Sequence, residues 1–84
     1  MQTPTIGRIV ILKGHISNNS DEQPAMVTRV FAPDYVNLMV FPDADNPFPR
    51  TSVRLFETRE LAMQFQSQQE THPLVPVAFW PPRS

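Results

Sequence analysis

The sequence predicts one small, mainly β domain that carries a single short helix. Its 84 residues suit one domain. Five short runs are rich in β-branched and aromatic residues, which is typical of strands, and turn residues separate them. Residues 58–69 differ from these runs because they are rich in Glu, Gln and Ala and contain neither Gly nor Pro, which favours a helix.

The first two predicted strands are separated by a polar segment. Residues 8–13, RIVILK, are apolar on both faces and lie between Gly7 and Gly14, so they predict a sandwiched strand. Residues 14–24, GHISNNSDEQP, are polar and rich in turn formers, and they predict a mobile loop. Residues 25–31, AMVTRVF, predict the second strand.

The third predicted strand, residues 35–41 (YVNLMVF), has two different faces. Alternate residues of a strand point to opposite sides, so Val36, Leu38 and Val40 form one apolar face. The other face is aromatic and polar together, as binding or subunit surfaces often are. Alternatively, the helix or the C-terminal tail covers it. That second face carries Tyr35, Asn37, Met39 and Phe41.

The stretch FPDADNPFPRTSV, residues 41–53, leads from the third strand to the fourth. Pro42, Pro47 and Pro49 cannot donate to a strand ladder, so residues 42–50 predict a loop. Residues 51–56, TSVRLF, then predict the fourth strand.

The helix is predicted over residues 58–69, TRELAMQFQSQQ. Thr58 is the expected N-cap, and Glu60 suits the first turn because its charge opposes the helix dipole. The predicted buried stripe consists of Leu61, Ala62 and Phe65. The predicted solvated face consists of Gln64, Gln66, Gln68 and Gln69.

A last short strand is predicted over residues 75–80, where Pro76 makes it an edge or bulged strand, and residues 81–84 form a Pro-rich tail. Strand, long loop, three strands, helix and strand is the order of a small five-stranded SH3-like barrel with one short helix before the last strand. A barrel also removes most of the exposed strand edges. The alternative is an OB-like barrel, or an open antiparallel sheet with a helix across it.

Composition excludes several function classes. With a net charge of −1, the chain lacks the basic footprint of a general nucleic-acid binder. It has no Cys, no apolar run near the roughly 20 residues of a membrane span, and no signal-peptide pattern, so we expect a cytoplasmic protein. Two Gly exclude a P-loop or dinucleotide fingerprint, and no nucleophile motif is present. We expect no enzymatic activity and no cofactor.

A metal site is also not expected. Asp43, Asp45 and Asn46 begin like a calcium loop, but Phe48 stands where that loop needs Gly and Arg54 where it needs Glu. The two His are not spaced as a zinc site and no Cys accompanies them.

The run PRTS, residues 49–52, is the candidate ligand contact. Arg50 offers a planar guanidinium, and Thr51 and Ser52 offer hydroxyl and backbone N–H groups, which together suit a phosphate or carboxylate. Alternatively, Arg50 pairs with Asp43 or Asp45 across the loop. The predicted ligand-binding residues are Arg29, Asn37, Arg50, Thr51, Ser52 and Trp80.

Aromatic residues and a terminal Arg are the candidate partner contacts, since such residues dominate the energetics of protein interfaces. Trp80, the only Trp, either closes the barrel core or anchors the chain to a neighbour. The predicted partner-binding residues are Tyr35, Met39, Phe41, Phe48 and Arg83.

Five short motifs along the chain, GRIV, VTRV, VNLMVFPD, RTSV and FWPPR, resemble a mostly uncharacterised group of short proteins encoded by tailed bacteriophages and prophages. Related proteins often end in Trp-His-Trp-Pro, whereas residues 78–81 are AFWP here. The resemblance implies a phage accessory protein present in the host cytoplasm during infection or lysogeny.

Two functions are therefore expected, both without catalysis. In the first, a homo-oligomeric barrel binds and sequesters a host anionic small molecule, such as a nucleotide immune signal, as a counter-defence. In the second, the barrel is a protein–protein interaction module that binds a host or virion protein. Neither hypothesis involves a membrane, and nucleic acid is the least favoured partner.

Overall fold

Five strands and one helix form a closed barrel in the computed structural model, which describes residues 3–17, 19–68 and 76–81. Each strand pairs antiparallel with the next as far as β4. β5 pairs parallel with β4 and antiparallel with β1, which closes the barrel. The predicted SH3-like barrel is confirmed. The elements are β1 (Ile9–Ser17), β2 (Ser20–Ala32), β3 (Tyr35–Val40), β4 (Phe48–Phe56), α1 (Arg59–Ser67) and β5 (Val77–Phe79).

Inward-facing apolar residues from all five strands fill the barrel. These side chains are at most 3% exposed, and Trp80 closes the cluster, as one of the two interpretations of that residue predicts. They are Val10, Leu12, Ala25, Val27, Val36, Leu38, Val40, Val53, Leu55, Ala78 and Trp80.

The loop predicted over residues 14–24 is wrong, because strands β1 and β2 occupy most of it. The ladder shifts register after Lys13 and resumes at Ser17, which faces Ser20 across a tight hairpin. Gly14 lies at φ 118°, and a Cβ there would stand 3.0 Å from Pro76 Cα. One side of an antiparallel hairpin can face water, so its strands can carry many polar residues. The polarity of this segment was therefore not evidence against a strand.

The start of β4 also differs from the prediction, because the strand begins at Phe48 and includes Pro49. Pro49 pairs with Met39 of β3, whereas β4 pairs with β5 only at Leu55 and Phe56. Among the described residues, the first half of β4 therefore has a neighbouring strand on one side only, and a residue without an N–H is tolerated at such an edge.

Helix α1 begins where the sequence predicts but buries a different stripe. Thr58 is the N-cap, and its Oγ1 accepts a hydrogen bond from the Leu61 N–H at 3.2 Å. Leu61 is nevertheless 45% exposed, so its place in the predicted buried stripe is wrong. Gln66, predicted to be solvated, is buried and donates to the Lys13 carbonyl at 3.3 Å. Gln69 lies outside the described residues.

The helix packs on the outside of the barrel, against β4 and β5. Because Ala78 points into the barrel, its neighbours Val77 and Phe79 point outward and meet Ala62 of α1 in a second small cluster. Ile11, Phe56 and Phe65 border this cluster. None of the helices in the described ranges is long and apolar enough to cross a membrane.

Candidate functional site

Strand β3 presents its mixed face to the outside of the barrel, away from α1. Val36, Leu38 and Val40 are buried in the core, as predicted. The opposite side chains remain partly or largely exposed, because α1 covers the barrel at β4 and β5. Among the described residues, the alternative of a face covered by the helix is therefore not found. Residues 82–84 of the predicted tail, including Arg83, lie outside the described residues.

Apolar side chains line up across four strands on this outer surface. Ile9 of β1 faces Met26 of β2, Met26 faces Met39 of β3, and Met39 faces Pro49 of β4. Two residues further along lies a second row, in which the Phe41 N–H donates to the Pro24 carbonyl at 2.9 Å. We name this surface the outer apolar face, and it consists of Ile9, Pro24, Met26, Met39, Phe41 and Pro49.

Much of the outer apolar face is open to water. Ile9 is 48% exposed, Phe41 38% and Met26 36%. Asn37 and its partner Arg29 follow at one end of the rows, and the paired residues Lys13 and Glu22 follow at the other. A contiguous apolar patch rimmed by polar residues is the usual sign of a protein interface, whereas single exposed apolar residues carry no such information.

The predicted partner residues are only partly brought together. Met39 and Phe41 belong to the outer apolar face. Tyr35 lies beyond Asn37 at the end of β3 and packs against Phe31, with ring centroids 5.9 Å apart. Phe48 is half-buried against the core and so points inward.

Four of the six residues of the outer apolar face escaped sequence reasoning, namely Ile9, Pro24, Met26 and Pro49. These residues are scattered over 41 positions of the chain, and only the strand register makes them neighbours. The first strand offered a usable signal for this face. It is apolar on both sides, which predicts that something covers its outer side. Helix α1 reaches Ile11 but leaves Ile9 48% exposed.

The predicted ligand residues Arg50, Thr51 and Ser52 lie together in a shallow cavity of about 300 Å³ between β4 and Pro76. Here two residues of β4, Thr51 and Ser52, oppose the single residue Asn37 of β3, which forms a β-bulge. Ser52 takes a φ of 58°, and its N–H donates to Asn37 Oδ1 at 2.9 Å. We name this cavity the bulge groove. Because Asn37 Oδ1 already accepts the Ser52 N–H, this side-chain oxygen stabilises the bulge.

Arg50 is the cation of the bulge groove. It is exposed, and none of the ion pairs between described residues involves it, so the alternative pairing with Asp43 or Asp45 is not found in that part of the chain. Arg29 lies across β3, beside Asn37, and its guanidinium stacks on Phe31 at 5.0 Å. Trp80 does not join the groove, because it lies in the barrel core.

A larger cavity of about 410 Å³ lies where α1 begins, and the sequence did not predict it. We name it the helix cavity. Its apolar lining comes from Ile11, Phe79 and Trp80. The remaining lining is charged or polar and consists of Glu22, Glu57, Thr58, Arg59 and Glu60.

One ion pair spans the helix cavity. Arg59 Nε donates to Glu22 Oε2 at 2.7 Å, and this hydrogen bond, together with the Glu22 charge, raises the pKa of Arg59. Lys13 Nζ also approaches Glu22, at 3.5 Å, and contacts Asp21 more closely, at 2.8 Å. The Arg59–Glu22 ion pair thus links the first turn of α1 to strand β2.

Within the described ranges, no group of three His, Asp or Glu side chains is placed to hold a metal ion. Comparison of the chain with protein-family models, with curated proteins and with solved structures gives no match. The closed five-stranded sheet itself is that of a small SH3-like barrel.

Proposed function

We propose that this protein is a non-enzymatic interaction module that binds a partner protein through the outer apolar face. The observation that carries the proposal is the continuous row Ile9–Met26–Met39–Pro49, in which each residue directly faces the next across four strands. A water-facing barrel surface usually carries its exposed apolar residues singly, so four in one contiguous row indicate a surface that another molecule covers.

The energetics of the face support this role. Fully burying a large apolar side chain contributes about 1.5–3 kcal/mol. Ile9, Met26 and Phe41 already bury about half or more of their surface, so a partner would gain about 1 kcal/mol from each. Met side chains also adapt to partners of different shapes, and two of them stand at the centre of this row.

The test compares matched variants in a capture experiment. The tagged protein is incubated with a bacterial lysate, the source that the phage resemblance indicates. Met39→Asp places a charge at the centre of the face, and Gln64→Asp places the same charge on the exposed side of α1. We expect a stoichiometric partner to be retained by the wild type and by Gln64→Asp and lost with Met39→Asp. A partner retained by all three chains would overturn the proposal.

The predicted homo-oligomer offers a special case of the same proposal, with a second copy of the chain as the partner. Native mass spectrometry separates the two cases. If the wild type is an oligomer and Met39→Asp is a monomer, the outer apolar face mediates self-association. If the wild type is a monomer, the partner is a different protein.

A second function, sequestration of an anionic small molecule, is favoured by the bulge groove. Arg50, Thr51 and Ser52 line it together, and a guanidinium beside hydroxyl groups suits phosphate. We rank this function second because Trp80 is buried elsewhere and the Asn37 carbonyl oxygen is already used by Ser52. This leaves the groove with fewer ligand contacts than the sequence predicted.

Thermal unfolding with added linear and cyclic nucleotides tests the second function. A ligand at 100 times its Kd stabilises the folded state by about 2.7 kcal/mol, which is easily seen as a rise in Tm. We expect the rise to disappear with Arg50→Ala and to persist with Arg54→Ala, since Arg54 lies outside the groove and contacts Asp34 at 3.6 Å. If no nucleotide changes the Tm of the wild type, sequestration of a nucleotide is excluded.

A further inference from the structure

The cation Arg29 lies at one end of the outer apolar face. It pairs across the ladder with Asn37 of β3, directly after the row that contains Met26 and Met39. Both side chains point outward, because the neighbours of Asn37 on β3 point into the core. Arg29 is exposed, and none of the ion pairs between described residues involves it. This end of the face therefore presents a positive charge to solvent.

The guanidinium of Arg29 is held in place by aromatic rings. It lies over the ring of Phe31, 5.0 Å from the centroid, and Phe31 packs against Tyr35 with ring centroids 5.9 Å apart. Stacking uses the flat side of a guanidinium and leaves the N–H groups at its edge, which match the two oxygens of a carboxylate. A side chain that is already positioned loses less rotamer freedom on binding. Arg29 is therefore a preorganised donor for a carboxylate.

Asn37 adds a second donor beside Arg29. Its Oδ1 accepts the Ser52 N–H at 2.9 Å, which fixes the orientation of the amide. Its Nδ2 donates to no other described residue. Residues that face each other across an antiparallel pair have Cβ atoms about 4.5–5.5 Å apart. One carboxylate on the outer surface can therefore contact both side chains.

The charges around Arg29 leave this end of the face positive. The β2–β3 turn holds one acid, Asp34, which lies 3.6 Å from Arg54, so these two charges offset each other. The site does not depend on Arg8, whose guanidinium lies over the Trp80 ring at 5.6 Å. At the opposite end of the face, two cations and two acids form one balanced network, which consists of Lys13, Asp21, Glu22 and Arg59. A partner that complements these charges is negative beside Arg29.

The spacing of the rows determines the spacing that a partner needs. Phe41, Met39 and Asn37 are alternate residues on the outer side of β3 and its end. An extended segment repeats its side chains with the same period, roughly 6.6 Å for every two residues. When two of its side chains lie over Phe41 and Met39, a third therefore lies over Asn37 and Arg29. Either chain direction fits this spacing.

We propose that the outer apolar face binds an extended acidic segment of the partner protein. The segment carries two apolar residues and one Asp or Glu at alternate positions, with the acid at one end. The apolar side chains lie over Phe41 and Met39, and the carboxylate is bound by Arg29 and Asn37. The inference rests on the proposed function and adds the chemistry of the partner. The positive end of the face commits it to an acidic peptide.

The methionine methyl signals provide a direct readout in a sample labelled with ¹³C at these groups. Met26 and Met39 lie on the face, and Met63, 41% exposed on α1, is the internal reference. The intact protein is titrated with two capped acidic peptides, Leu-Thr-Leu-Thr-Glu and Glu-Thr-Leu-Thr-Leu. For each of them, one control peptide has Lys in place of Glu, and a second has Ser in place of both Leu.

We expect at least one acidic peptide to move the Met26 and Met39 signals saturably and to leave the Met63 signal in place. Its apparent Kd should be about fivefold lower than the Kd of either control, because a charge-assisted contact and the apolar contacts both contribute. No saturable movement with either acidic peptide, or an equal affinity for the Lys control, would overturn the inference.

Two variants with equal changes in net charge locate the contact. Arg29→Gln removes the cation, and Gln64→Glu adds a carboxylate on the exposed side of α1. We expect the affinity for the acidic peptide to fall about fivefold with Arg29→Gln and to change less than about twofold with Gln64→Glu. Equal losses would show only a general charge effect and would refute the site. Thermal unfolding confirms that both variants fold.

Reversal of the charge at Arg29 tests the contact directly. With Arg29→Glu, the Lys control peptide should bind more tightly than the acidic peptide, the opposite of the order in the wild type. A variant that still prefers the acidic peptide would exclude Arg29 as the contact.

Two other occupants of the face give different results. If acetate binds as tightly as the acidic peptide, the site takes a small anion. If the Met26 and Met39 signals move with protein concentration alone, a second copy of the chain covers the face. Either result overturns the inference.

The peptide titration is independent of the capture experiment. Loss of the partner with Met39→Asp but no response to the acidic peptides leaves the proposed function standing and removes this inference. A partner retained by Met39→Asp removes the proposed function, whatever the peptides do.

Discussion

The outer surface of the barrel has two apolar regions, and only one of them is covered. Near β4 and β5, α1 lies over Val77 and Phe79 and buries them almost completely. On β1, β2 and β3, the outer apolar face carries residues of the same type, but Ile9 and Met26 remain 48% and 36% exposed. Both regions carry apolar side chains, and they differ in whether another part of the chain packs on them.

The difference teaches where stability and recognition reside in a small barrel. The covered region is completed within the chain, so its apolar area contributes to folding. The part of the uncovered region that stays exposed contributes no such stabilisation unless another molecule covers it. A substitution in the first should change the free energy of unfolding, and one in the second should change association. Four substitutions test this division.

The largest effect is expected for Phe79→Ala in the covered region. Phe79 is 1% exposed and lies under α1, so the change leaves a cavity and should cost about 3–5 kcal/mol. Urea denaturation of the variant and of the wild type measures the difference. A loss below about 1 kcal/mol would mean that α1 contributes little cover, and the comparison of the two regions would fail.

Gly14→Ala should have the next largest effect. Gly14 lies at φ 118°, and the added Cβ would stand 3.0 Å from Pro76 Cα and 3.1 Å from Gln66 Nε2 on the covered side. We expect a loss of about 2–3 kcal/mol in urea denaturation. Gly7→Ala is the matched control, since Gly7 also has a positive φ, 95°, but no atom within 4 Å of the added Cβ. Its loss should be about 1 kcal/mol, and equal losses would refute a steric role for Pro76.

Asn37→Ala should have a smaller effect on the uncovered side. The change removes the acceptor of the Ser52 N–H, a hydrogen bond of 2.9 Å at a partly exposed site, and should cost about 1 kcal/mol. Hydrogen exchange should show faster exchange at the Ser52 amide than in the wild type. Unchanged exchange at that amide would mean that Asn37 does not hold the bulge.

Met39→Gln should have the smallest effect on stability. Its side chain lies on the outer apolar face, where substitutions usually change stability by less than about 0.5 kcal/mol. Association with the captured partner should nevertheless weaken at least tenfold, as measured by calorimetry. A stability loss above about 2 kcal/mol would show that the face is part of the folding core, and the division between the two regions would disappear.

Local patterns in the sequence predicted most of the elements. The alternation of Val36, Leu38 and Val40 gave the correct inner face of β3, and the hydroxyl of Thr58 marked the start of α1. The errors fall where tertiary contacts override local preference. Gln66 looked like a solvated residue, but the Lys13 carbonyl provides a buried partner for its amide.

The candidate sites were less predictable than the fold. Arg50, Thr51 and Ser52 are consecutive, so the sequence could place them together in one site. Trp80 was predicted either to contact a ligand or neighbour or to close the core, and the structure places it in the core, directly after β5. The helix cavity was missed because its lining comes from four elements and from the turn before α1. Its acidic residues are far apart in the chain, and the sequence predicted a role only for Glu60, in the first turn of the helix.

The sequence by itself determined the strand faces, the start of the helix and the barrel class, because alternation, capping and chain order act over short stretches. Only the tertiary structure decided which apolar residues are covered. The register between strands brings Ile9, Met26, Met39 and Pro49 into one row, and the place where α1 packs leaves that row exposed. Register and helix position depend on contacts between residues far apart in the chain, which no local pattern encodes.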